Sequence, residues 1–405
     1  MTQCRSCGFG TLDDVLTLGE TPLANSLVAA DRLDTVEARF PLDVVFCPQC
    51  ALVQLTISVP PEEMFTEYAY FSSFADTVTE NARVLVERLV RERHLAAGHL
   101  AMEIASNDGY LLKNYVAAGI DALGIDPARN IARVAIDNGV PTRCDFFGRD
   151  LARQLAAEGL LADVLHANNV MAHVPDVNGV VAGIATVLAP GGVAVIETPY
   201  VREMVERLEF DTIYHEHLFY YSLSSFDALL RRNGLRAVDV ERIPIHGGTL
   251  RIFAAEEGTP VSDATTSLLA EEAQLGMTTI DYYRDFVARV DTLCDQLRDF
   301  LLGLRRDGKR IAAYGAAAKG ATLLNRIGVD ATTIDYVADR NVHKQGLYMP
   351  GVHIPIVAPE QLLTDLPDYV LLLAWNFADE VMAQQHEYRE RGGKFIVPVP
   401  EPAIR

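Results

Sequence analysis

Two short cysteine pairs limit how this chain can fold more than any other feature. Cys4-Arg5-Ser6-Cys7 and Cys47-Pro48-Gln49-Cys50 each present two thiols from one tight turn. Zinc takes a tetrahedral shell of thiolates, and two such turns from separate stretches complete it. The spacing predicts a zinc-binding module over residues 1–70, with Cys4, Cys7, Cys47 and Cys50 as a closed structural shell. Four unrelated buried cysteines are the plain alternative. Short alternating apolar runs at 40–46 and 51–57 read as small strands of this module. Cys144 and Cys294 stand alone and are expected to be small buried residues. The opening Met-Thr-Gln-Cys-Arg has no apolar segment of the signal-peptide kind, so a cytoplasmic protein with reduced thiols is expected.

The chain has 405 residues, 49% of them hydrophobic and 22% charged, which is core material for two or three globular domains. A net charge of −20 argues against nucleic acid or an anionic membrane as partner, because phosphate contacts need clustered Lys and Arg. Residues 177–196 carry no charge and are long enough to span a bilayer, but Pro190-Gly191-Gly192 breaks the run. They read as a buried helix, a turn and a buried strand. A helix is expected over 77–94. From residue 100 strands alternate with helices: 100–105, 122–125, 163–167, 192–197 and 249–254 are strand-like, with a helix at 111–118. A helical region at 264–304 leads to a second such rhythm, with strands at 310–314, 334–338, 369–373 and 394–397. Both imply mostly parallel sheets with ligand sites at the strands' carboxyl ends. The predicted division is 1–70, 71–257 and 258–405.

Glu103-Ile104-Ala105-Ser106-Asn107-Asp108-Gly109 follows a buried strand and leads into a helix, and Gly109 lets backbone approach a ligand. The spacing is not the Gly-x-Gly-x-x-Gly of a dinucleotide fold, which counts against a nicotinamide cofactor. Asp126 ends the next strand, where a carboxylate can accept from both hydroxyls of a ribose. Asp145-Phe146 offers an acceptor for an adenine amine and an aromatic face. Asn168-Asn169 ends the fourth strand. Singly, such residues are often caps or turn formers. In this order they resemble the class I S-adenosylmethionine-dependent methyltransferases, with their Rossmann-like sheet. The resemblance implies that Glu103, Asn107, Gly109, Asp126, Asp145, Phe146 and Asn168 bind the cofactor, and that residues 188–192 turn into the fifth strand.

The densest polar and aromatic segment is Tyr214-His215-Glu216-His217-Leu218-Phe219-Tyr220-Tyr221-Ser222. A carboxylate beside an imidazole can orient it and raise its basicity, as a general base requires. A polar cap packed with aromatics is the bland reading. His173 follows the fourth strand and points toward the same crevice, and His246-Gly247-Gly248 introduces a late strand. With the cysteine module, residues 103–109 and Tyr314-Gly315-Ala316-Ala317-Ala318-Lys319, the whole chain resembles bacterial sugar C-methyltransferases, especially those acting at C3 of TDP-4-keto-deoxysugars in antibiotic biosynthesis. Residues 339–355 and Ala374-Trp375-Asn376 belong to the same likeness. His215 stands where some of those enzymes carry an acidic residue, and Ala105-Ser106-Asn107-Asp108 resembles a broader branch acting on other sugar nucleotides and ring carbons.

The resemblance implies three domains, with a second Rossmann-like α/β domain at the C-terminus and a nucleotide-linked ketosugar (TDP, or else GDP) bound between it and the methyltransferase domain. It implies His217 as the base, with Tyr214, Glu216, Tyr68 and His173 around it, Tyr70 competing with Tyr68. Ser73, Tyr70, His246, Lys319, Trp375 and Asn376 are candidate substrate contacts. Lys319 follows a strand and small residues that let backbone approach a phosphate, although a packed turn with a surface lysine reads equally well. A monomer or weak dimer is expected. Two alternatives stand: transfer to a sugar oxygen, which needs no enolate, and a non-catalytic zinc-containing binding protein.

Overall fold

The computed structural model describes residues 3–59, 73, 76–245 and 247–405. The cysteine module is built on β1 (Asp13–Thr21), β2 (Phe40–Phe46) and β3 (Val53–Leu55), paired antiparallel in that order. Its fourth strand comes from elsewhere: β3 pairs with β9 (Phe219–Tyr220), far along the chain. The module is therefore stitched to the segment that follows Tyr214–His217.

The helix Asp76–Glu92 leads into the central sheet of β4 (Leu100–Ile104), β5 (Asp121–Ile125), β6 (Thr142–Arg143), β7 (Ala162–Asn168), β8 (Leu188–Pro199), β10 (Leu235–Ile243) and β11 (Thr249–Glu256). The strand order is β10-β11-β8-β7-β4-β5-β6, parallel except for β11, which runs antiparallel to both neighbours. The chain winds outward from β4 in one direction and then the other, so a crevice opens at the carboxyl ends of β4 and β7. The turn expected at Pro190-Gly191-Gly192 is instead a bulge within β8. The register with β7 slips between Ala162 and Val164, and the helix Val177–Val187 runs straight into the strand.

Helices Asp263–Gln274 and Phe286–Arg306 connect to the third sheet. It contains β12 (Ile311–Tyr314), β13 (Val337–Ala338), β14 (Ile356–Val357), β15 (Tyr369–Leu372), β16 (Lys394–Val397) and β17 (Ala403–Ile404), in the order β14-β13-β12-β15-β16-β17. Only β17 is antiparallel. Each α/β sheet carries the same device at its switch point. The Asn107 and Ala128 amides donate to the two oxygens of Asp126, both at 2.9 Å. The Ala316 and Asn341 amides do the same for Asp339, at 2.6 and 2.7 Å.

One continuous apolar core runs from Cys4 through β4, β7 and β8 to Val399, so the three parts are packed together rather than strung out. Cys294 is buried in it as expected, but Cys144 is exposed, because it follows β6, the short strand at the edge of the sheet. No described helix is long and apolar enough to cross a membrane.

Candidate active site

The two cysteine turns meet. Cys4 Sγ lies 3.6 Å from Cys50 Sγ, and Cys7 Sγ 3.5 Å from Cys47 Sγ. All four sulfurs are within 4.8 Å of one another. Backbone amides after each first cysteine fold back on it, Gly8 to the Cys4 carbonyl and Ala51 to the Cys47 carbonyl, and both residues have positive φ. A hydrogen bond from Cys50 holds the Cys4 thiol down to about 5, while burial pushes Cys47 up to about 11. Without a cation, ionising the further thiols is costly; a Zn2+ ion removes that cost by coordinating all four as thiolates. The donor set fits structural zinc, and among the described residues it is the only such group spaced for a metal.

The cofactor crevice begins at the end of β4. Glu103 is buried, and neither carboxylate oxygen has a hydrogen-bond partner among the described residues. Burial, and then the charges of Asp126, Asp108 and Glu197, push its carboxyl well above the usual range. Such a group calls for positive charge, and S-adenosylmethionine carries two cationic centres, its ammonium and its sulfonium. Asn107 and Gly109 lie in the tight loop that follows, both at positive φ, and a Cβ on Gly109 would sit 2.8 Å from Val140 Cγ2. Asp126 still has lone pairs for a ribose beyond the two amides it accepts. Asn168 lies 3.5 Å from the Tyr110 hydroxyl, with its own Oδ1 buried and unpartnered among the described residues. Asp145 and Phe146 stay exposed after β6, the Asp145 carboxylate accepting from the Phe146 amide at 2.8 Å. The residues present fit the cofactor.

The candidate groups Tyr214, Glu216 and His217 sit on a turn between a single 3₁₀ turn, Phe210–Thr212, and β9. His217 Nδ1 lies 2.8 Å from the Thr212 carbonyl, which can only accept, so Nδ1 carries the proton and Nε2 the lone pair. The Tyr214 hydroxyl lies 2.6 Å from Nε2 and donates to it. His173 stands edge-on to His217, ring centroids 4.8 Å apart, and burial pushes it down to about 4, so it stays neutral. Glu216 is buried; burial pushes its carboxyl up to about 7, against the pull of Asn25 and Lys344. His215 turns away, its Nε2 3.3 Å from the Pro41 carbonyl and its ring edge-on to Phe40.

A third group lies between the methyltransferase and C-terminal domains. Lys319 Nζ donates to Asn376 Oδ1 at 2.9 Å and stands 4.3 Å from the centre of the Trp375 ring. Trp375 Nε1 donates to Asp211 at 2.7 Å. Burial pushes Asp211 up to about 6 and Glu209 to about 8, opposed in both by Lys319. Glu209, Trp375 and Asn376 border a cavity of about 550 Å³ that Arg207, Arg242 and Glu203 also line. Gly247 and Gly248, both at positive φ, press against Glu209 and Glu203. Ser73 is exposed, its amide 3.3 Å from Asp108. Tyr68, Tyr70 and His246 lie outside the described residues. Sequence reasoning missed Asn25, Glu209 and Asp211. The last two stand just upstream of Tyr214 and were findable as acidic neighbours of the cluster, whereas nothing local marks Asn25.

Three family models match in chain order: a zinc binding domain over residues 4–65, a methyltransferase domain over 77–240, and a C-methyltransferase C-terminal domain over 244–400. The chain is 40% identical over 404 residues to the C-methyltransferase NovU of Streptomyces niveus, covering 99% of this chain and 96% of that one. It is 32% identical over 109 residues to a ubiquinone biosynthesis O-methyltransferase of Methylococcus capsulatus, covering 25% of this chain and 44% of that one. Among solved structures, the magnesium protoporphyrin IX methyltransferase of Synechocystis with bound S-adenosylmethionine covers 44% of this chain and 79% of its own, at 14% identity and a TM-score of 0.34.

Proposed function

The chain belongs to the S-adenosylmethionine-dependent C-methyltransferases, and from that premise we propose that it methylates a ring carbon, C3, of a nucleotide-linked 4-ketosugar, with His217 as the base. The observation that carries this reading is the fixed tautomer of His217. With Nδ1 committed to the Thr212 carbonyl, the basic Nε2 is held toward Tyr214 rather than left to rotate.

A C–H bond beside a ketone is acidic because the anion spreads onto the carbonyl oxygen. Nε2 takes the proton and the C–H electrons pass into the enolate. Tyr214, released from the imidazole, turns its hydroxyl to the developing oxyanion. The neutral His173 adds no positive charge that would weaken the base. S-adenosylmethionine, when bound, supplies the electrophilic methyl group. The chain's part is to hold the nucleophilic carbon in line with it. Asp339 and the backbone of residues 315–319, at the switch point of the third sheet, offer a second crevice for the nucleotide portion.

Incubation with TDP- and GDP-4-ketosugars and labelled cofactor, followed by mass spectrometry and NMR location of the label, tests the substrate and the carbon. His217→Asn should lower turnover by about 10²-fold or more with cofactor affinity nearly unchanged. It should also abolish solvent-deuterium exchange at the substrate carbon in the absence of cofactor. Strong residual methylation, or methyl transfer to oxygen without exchange, would refute the histidine's role.

A further inference from the structure

Glu216 is reached from all three parts of the molecule. Asn25, 191 positions earlier in the cysteine module, donates its side-chain amide to Glu216 Oε1 at 2.5 Å. Lys344 of the C-terminal domain acts on the same carboxyl through its charge. Glu216 Oε2 is buried and has no hydrogen-bond partner among the described residues. An unpartnered buried carboxylate oxygen is expensive unless a ligand supplies a donor.

The chain that follows Asn25 is fastened to both neighbouring parts of the molecule. Val28 and Tyr348 exchange backbone hydrogen bonds at 2.9 and 2.8 Å, and Glu37 pairs with His353 at 2.7 Å and accepts from the Gly351 amide. On the other side Pro41 meets His215, and β3 pairs with β9 just beyond His217. Asn25 itself is exposed. The burial of core packing does not account for it.

We propose that Asn25 is a positioning residue of the active site: the cysteine module delivers its amide to fix Glu216, so that the second carboxylate oxygen meets a hydroxyl or amine of the substrate. The role at the substrate rests on the reading of the function above, while the Asn25–Glu216 link does not. The amide nitrogen donates to a carboxylate on which, among the described residues, Lys344 is the one opposing charge. The imidazoles of His215 and His217 flank it in the chain, and His173 bonds its backbone.

The test compares Asn25→Ala with Asn25→Asp in the full-length protein. Removing the donor should raise the midpoint at which Glu216 titrates, followed by ¹³C NMR and assigned by loss of the signal in Glu216→Gln. Asn25→Asp, nearly the same shape but with a like charge in place of a donor, should raise it further, by about one unit or more. Methyl transfer should fall about tenfold in Asn25→Ala and further in Asn25→Asp, the acidic limb of the pH profile moving with the Glu216 midpoint. Identical Glu216 titrations in wild type and both variants would overturn the proposal. So would Asn25→Asp working better than Asn25→Ala, since shape rather than donation would then be what matters. If the wild type transfers no methyl group to any ketosugar nucleotide, the substrate reading fails, and the NMR titration still decides the link between Asn25 and Glu216.

Discussion

Glu103 carries an electrostatic cost that can be tested at a single residue. It is 1% exposed, crowded by three other carboxylates and unpartnered among the described residues. Its folded-state pKa is raised, so its contribution to stability is full below the ordinary carboxylate value and is lost as pH climbs through the folded one. Cofactor-free protein should therefore lose stability as pH rises above the usual carboxylate range. Glu103→Gln should flatten that slope while weakening S-adenosylmethionine binding about tenfold, one charge-assisted hydrogen bond's worth. Thermal unfolding across pH and calorimetric titration check the two halves; unchanged affinity would remove Glu103 from the cofactor's contacts. The positions of Glu103 and Asp126 at the carboxyl ends of β4 and β5 were legible from the alternation of strands and helices. Asp211 and Asn25 acquire their roles from partners 164 and 191 positions away, and no local pattern records such a contact.

At the scale of elements, burial decides what a sequence reveals. The strands β4 and β7 are buried on both faces and read as apolar runs with near-correct bounds, whereas β8 begins four residues before its expected start because the glycines at 191–192 form a bulge rather than a turn. β10, with the sequence LRAVDVERI, lies at the sheet edge with much of its length partly exposed, and its charges hid it. β9, β14 and β17 are two residues each, too short to carry a period. The helix Leu223–Arg232 was hidden for a different reason: part of its cap comes from another element. Ser222 and Ser225 form a capping box, and Glu272, fully buried on the helix Asp263–Gln274, accepts from the amides of Leu223 at 2.8 Å and Ser224 at 2.7 Å. The Tyr200 hydroxyl donates to the same carboxylate at 2.9 Å. Glu272→Gln turns an NH2 group toward one set of these donors. It should destabilise the protein by about 2–3 kcal/mol, read from the urea unfolding midpoint; a loss below about 0.5 kcal/mol would mean that the helix end finds water instead.

Across the whole molecule, the cysteine module is packed as a brace for the turn Tyr214–His217 rather than as an appended bead. Its last strand, β3, pairs with β9 on one side of that turn, and Asn25 and Pro41 hold the turn itself. The other end of the turn begins with Asp211, which accepts from Trp375, the only tryptophan in the chain. A disturbance of the cysteine site thus has a short structural route to that indole through residues 211–220. Trp375 is partly exposed, so its fluorescence should respond when the route is loosened. Stripping zinc with a chelator, or substituting Cys47→Ser, should shift Trp375 emission to longer wavelength and make it more accessible to acrylamide. The thermal transition of the whole chain should also move downward as one, because a continuous core joins the module to both α/β domains. An independent module would instead unfold in a separate step, with Trp375 emission and methyl transfer untouched, and that result would end the view of it as a brace.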